Sequence, residues 1–134
     1  MNILIIVLAA AASLYTAFAF YKAGKFKAFS TKETLLGAGF GWVEKTPFWT
    51  VRLIAWLELL GAAGLVIAPI GYFLGYTWAI WFAVAAAAGL ALTMVGAIIL
   101  HAKRGEGKYT FKMNMKLLLV SLAAALLWAY LPMV

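Results

Sequence analysis

All eleven lysines and arginines of this 134-residue chain fall into two clusters, and apolar runs separate and flank them. Lys22, Lys25, Lys27, Lys32, Lys45 and Arg52 make the first cluster; Lys103, Arg104, Lys108, Lys112 and Lys116 make the second. Between Leu53 and Ala102 the sequence carries one charged side chain, Glu58. About 20 apolar residues, each rising 1.5 Å, cross the ~30 Å hydrocarbon core of a bilayer as a helix. Four such runs fit, over residues 3–21, 49–68, 77–100 and 115–131. The pattern predicts an all-α membrane protein, an antiparallel bundle of four transmembrane helices in one domain. Both clusters lie in or beside the first and third connections. By the positive-inside rule those connections are cytoplasmic and both termini lie on the opposite side.

Composition agrees. Hydrophobic residues make up 67% of the chain and charged residues 11%, against ~45–50% apolar in soluble domains. The net charge of +7 would suggest nucleic acid in a soluble protein. Here the cations flank apolar runs, where they set topology and meet anionic lipid headgroups, so nucleic acid is not expected as a partner. With no cysteine, disulfides, thiol redox chemistry and cysteine-ligated clusters are excluded. A single histidine excludes a bis-histidine haem within one chain. Four acids, one of them within a span, leave no metal site expected.

The first run lacks a preceding Lys or Arg, which argues against a cleaved signal peptide. Ala9, Ala12, Ser13, Thr16 and Ala17 give it a small face for helix packing. Residues 22–48 are too polar to span and too aromatic (Phe26, Phe29, Phe40, Trp42, Phe48) for a plain loop. A short interfacial helix and a glycine-rich turn are expected between the first two spans. Pro69 is expected to stop the second span. A stripe of Ala86, Gly89, Thr93 and Gly96 is expected to pack the third, and Ser121, Ala124, Ala125 and Trp128 the fourth.

Glu58 is the residue in need of explanation. A carboxylate at membrane depth costs roughly 2.5–3.5 kcal/mol on insertion scales and usually faces the protein interior. Counting from Trp49, Arg52 lies ~4–5 Å and Glu58 ~13 Å into the second span. Six residues apart, the two do not share a helix face. Glu58 is therefore expected either to find a partner on another span, with Thr93, Ser13, Thr16 and Tyr15 as candidates, or to be protonated. Arg52, His101 and Glu106 are placed to line the basic mouth of a cavity floored by Glu58, with Trp56 deep enough to join it. The bland readings are a snorkelling anchor for Arg52, an interfacial polar group for His101, a solvated loop acid for Glu106 and a structural buried acid for Glu58.

Trp42-Val-Glu, then Arg52-x5-Glu58-Leu-Leu-Gly-Ala-Ala-Gly-Leu65, then Gly96-Ala-Ile-Ile-Leu-His101-Ala-Lys-Arg-Gly-Glu106 resemble the DoxX and DoxX-like family of small four-span membrane proteins. The resemblance covers roughly residues 22–106. It implies a four-helix bundle, an integral protein of the bacterial inner membrane, and association with membrane redox systems. Some relatives are subunits linked to thiosulfate:quinone or quinol oxidation; others serve as assembly partners. Glu58 and His101 are the polar residues that fit the pattern, with Arg52 and Glu106 next. Three functions follow as expectations. The first is an accessory, quinone-associated subunit with a Glu/His relay and a bound quinone or lipid, without independent catalysis. The second is a scaffold for a larger complex or a homo-oligomer. The third is a carrier or channel for a small or lipidic molecule.

Overall fold

The computed structural model describes residues 3–105 and 107–134; the side chains of residues 107–110 are not described. Four long helices carry the chain: α1 (Ile3–Phe29), α3 (Phe48–Phe73), α4 (Trp78–Lys103) and α5 (Gly107–Tyr130), with a short α2 (Lys32–Gly37) between the first two. All four contain stretches long and apolar enough to cross a membrane. The described residues contain no strand. This is an all-α bundle of four membrane-spanning helices.

Each helix packs against two others in the cyclic order α1, α3, α4, α5. The four are successively antiparallel, so both termini share one end and the cationic clusters the other. Alanines fill the interior: Ala9, Ala17, Ala62, Ala68, Ala83, Ala87, Ala124 and Ala125 are buried around Phe20, Leu65, Leu90 and Trp128. Small side chains suit a bundle in lipid, where close backbone approach replaces the hydrophobic effect as the source of attraction. Gly24 shows the limit. A Cβ there would stand 3.0 Å from the Ala55 carbonyl oxygen of α3.

The helices run past several expected ends. α1 continues eight residues beyond Tyr21, because nothing from Lys22 to Phe29 breaks a helix. Only then does the interfacial element follow, as α2, whose Thr31 side chain accepts from the Thr34 N–H at 3.1 Å. Pro69 does not stop α3; it is buried inside it. Its missing N–H frees one carbonyl a turn back, a defect membrane helices tolerate when neighbours pack around it. The stop is Gly75, at φ +91. Its N–H bonds the Tyr72 carbonyl and the Tyr76 N–H bonds Gly71, a Schellman closure in which glycine takes the left-handed position without penalty.

The stripe expected to pack the third span does so only at Ala86, which packs against the core and faces Gly64 of α3. α4 buries Ala79, Ala83, Ala87, Leu90, Ala91 and Met94, while Gly89 and Gly96 are exposed and have open space where a Cβ would stand. Small residues occupy both faces of this helix, so composition alone cannot select the packing face. The faces named on α1 and α5 are the ones buried. Trp128 donates from Nε1 to Ser13 Oγ at 2.5 Å, and its ring meets Tyr72 edge-on at 5.7 Å, closing the end opposite the cations.

Candidate functional site

Glu58 has a partner, and it is Lys27. The ammonium of Lys27 on α1 donates to Glu58 Oε1 on α3; the carboxylate side chain is 0% exposed and the lysine side chain 11%. In a helix the Cα–Cβ bond leans toward the N-terminus. On α1 that direction leads away from the cationic end, so Lys27 reaches inward instead of snorkelling out. Glu58 Oε2 is buried with no hydrogen-bond partner among the described residues.

None of the four partners expected for Glu58 takes that place. Ser13 accepts from Trp128. Thr16 donates to the Val120 carbonyl at 3.4 Å, and Thr93 donates to the Gly89 carbonyl of its own helix at 3.0 Å. Tyr15 lies under the Lys116 ammonium, 5.6 Å from the ring centre. A signal for Lys27 was available: the face of Ala9, Ser13 and Thr16 extends at helical spacing through Phe20 to Lys27. Ending the helix at Tyr21 hid it.

Arg52 is not among the residues that line the cavity of the cationic half. Its Nη1 donates to the Lys27 carbonyl at 2.9 Å and to the Ala28 carbonyl, and the guanidinium lies 4.5 Å from the centre of the Phe48 ring. It caps the C-terminal end of α1, where unpaired carbonyls and the helix dipole favour a cation. The same arginine thereby holds the backbone that carries Lys27.

A cavity of about 970 Å³ occupies the cationic half of the bundle. Glu58 and Lys27 border it from one side, Thr93, Gly96 and His101 of α4 and Asn114 of α5 from others. Asn114 is 5% exposed, and its Nδ2 has no hydrogen-bond partner among the described residues. The roof is the segment after α2. Ala38, Gly39, Phe40 and Trp42 line the cavity, anchored by the buried cluster of Leu35, Trp42, Val43 and Val51. Phe40 meets Phe26 at 5.6 Å and Trp42 meets His101 edge-on at 6.5 Å. Outward-facing Tyr15, Phe18 and Lys22 of α1 share the lining with Met113 and Lys116 of α5, so the cavity opens sideways between these two helices.

His101 and Glu58 thus border one cavity. Trp56 does not join them: it is 48% exposed on the outer side of α3, edge-on to Phe29 at 5.7 Å. One residue out of phase with Ala55 and two from Glu58, it points to lipid. Glu106 lies outside the described residues. Asn114 and Lys27 were absent from the expected set. Among the described residues no three His, Cys, Asp or Glu side chains come together as metal ligands.

A family model described as DoxX-like matches residues 4–126. No curated protein and no solved structure matches the chain.

Proposed function

The chain belongs to the DoxX-like family, and from that premise we propose that it is an accessory subunit of a membrane redox system that binds a quinone in the cavity of its cationic half. One observation carries this reading. An apolar cavity opens sideways toward lipid and holds, deep inside, a buried acceptor and a buried donor without partners, Glu58 Oε2 and Asn114 Nδ2. Lipid-soluble ligands suit such a site: apolar walls with a few placed polar groups.

A bound quinone supplies two-electron, two-proton chemistry. The chain's own groups do the rest. The Asn114 amide donates to a ring oxygen. The Glu58 carboxylate accepts a hydroxyl proton, with Lys27 holding its charge in place. His101, half-buried at the roof, passes protons between the cavity and the cationic end. With no cysteine and one histidine, the electrons released with those protons pass to a partner subunit, which makes the role accessory. The cationic end faces the cytoplasm and both termini face away from it.

The test is extraction and mass spectrometry of lipids that copurify with wild type, Asn114→Leu and Gly96→Trp. Gly96 borders the cavity with open space at its Cβ position, so a tryptophan there fills the void without disturbing the core. Quinone bound to wild type and lost from both variants is the expected result. Wild-type protein free of quinone, or equal retention by all three, overturns the reading.

A second reading is a scaffold. The open surface at Gly89 on the outer face of α4 lets another subunit's helix approach closely. Crosslinking at position 89 in native membranes distinguishes it, since the quinone reading requires no contact there.

A further inference from the structure

We propose that an acidic phospholipid docks at the sideways opening between α1 and α5, its phosphate held between Lys22 and Lys116. The argument is independent of what occupies the cavity floor.

Both lysines lie within membrane-spanning helices rather than in loops. Lys22 is about two turns inside the end of α1 at Phe29. Lys116 is about two and a half turns inside the start of α5 at Gly107. A cation flanked by lipid-facing apolar side chains favours a counter-charge. Among the described residues none is supplied at this edge: Glu58 is the one acid bordering the cavity, and Lys27 already occupies it.

Aromatic rings hold the two ammonium groups instead. Lys22 folds back over Phe18, 5.5 Å from the ring centre, and Lys116 reaches over Tyr15 at 5.6 Å. Tyr15 and Phe18 are three apart on one helix and so are neighbours on its surface. The two cations therefore stand over neighbouring rings of α1, along the same edge of the opening. Two ammonium groups at one edge suit a phosphate, whose oxygens accept charge-assisted hydrogen bonds.

A phospholipid suits this edge better than a soluble anion, because its acyl chains meet apolar surface on both sides: Phe18 is 62% exposed and Met113 59% exposed. Charge selects an acidic headgroup, because a zwitterionic one brings its own cation into a site that already holds two.

The test is native mass spectrometry of the full chain released from vesicles containing phosphatidylglycerol and phosphatidylcholine in equal amounts. Wild type is expected to retain phosphatidylglycerol in preference, and Lys22→Gln/Lys116→Gln to lose that retention about thirtyfold, as removal of two cations near lipid predicts. Lys22→Arg/Lys116→Arg, which keeps both charges, and Lys32→Gln/Lys45→Gln, which removes two cations from the connection, are expected to match wild type. Circular dichroism establishes that every variant is helical. Equal retention of the two lipids by wild type, an undiminished signal in the glutamine pair, or an equal loss in the connection pair overturns the proposal. Glycerol phosphate, added as the headgroup without chains, is expected not to displace the lipid; displacement would assign the site to a soluble anion instead.

Discussion

Lys27 and Glu58, thirty-one residues apart, form an ion pair across the α1–α3 interface with the carboxylate wholly buried. Removing one partner strands the other in a medium that does not solvate charge, whereas removing both leaves an apolar contact. Lys27→Met is expected to destabilise the bundle by about 3–5 kcal/mol and Lys27→Met/Glu58→Leu by much less. Unfolding in mixed detergent, followed by circular dichroism, measures the cycle. Additive single effects would show that the pair is not coupled.

Arg52 holds the end of α1 through two carbonyls and rests on Phe48. Arg52→Ala is expected to cost about 1.5–3 kcal/mol, the range for hydrogen bonds to a charged group. Arg52→Lys should recover less than half of that, because an ammonium lacks the planar fork that reaches two carbonyls and stacks on a ring. Faster amide exchange at residues 26–29 in both variants is the accompanying signature.

Gly61 of α3 leaves room for the Leu90 side chain of α4. A Cβ there would stand 2.6 Å from Leu90 Cδ2 and 2.7 Å from Leu90 Cγ, so Gly61→Ala is expected to cost about 1–3 kcal/mol through overpacking. Adding Leu90→Ala should relieve that clash, visible as a non-additive pair. Gly89→Ala, with nothing near its Cβ position, serves as the control and should be neutral or slightly stabilising through helix propensity.

The Trp128–Ser13 hydrogen bond joins α5 to α1 at the end away from the cations. Hydrogen bonds between membrane helices average about 0.6 kcal/mol and reach about 1.7. Trp128→Phe with Ser13→Ala in a double-mutant cycle should give a coupling within that range. A coupling near zero would mean that Trp128 acts through packing alone.

Much of this architecture was legible in the chain. The four runs, the confinement of the cations and the isolation of Glu58 follow from the cost of polar groups in lipid, which is paid residue by residue and so is written along the chain. The buried faces of α1 and α5 were legible for a related reason: Ser13, Thr16, Ser121 and Trp128 are the polar or bulky residues among alanines, and they mark their own side. On α4, where alanine and glycine occupy every face, nothing marked it. The ends of α1 and α3 were misread because a lysine-rich turn resembles a loop and Pro69 resembles a stop. At Pro69 packing against neighbouring helices outweighs the local preference.

The sequence by itself determined that this chain crosses a membrane four times and that one acid lies inside, because transfer of each side chain into hydrocarbon depends on its own chemistry and on its neighbours along the helix. Tertiary structure alone decided that Lys27 neutralises that acid, that Arg52 caps a helix, and that Trp56 faces lipid while Asn114 faces the cavity. Those facts rest on how helices rotate and how far they extend against one another. A hydropathy pattern contains depth but not azimuth, and the site is built from azimuth.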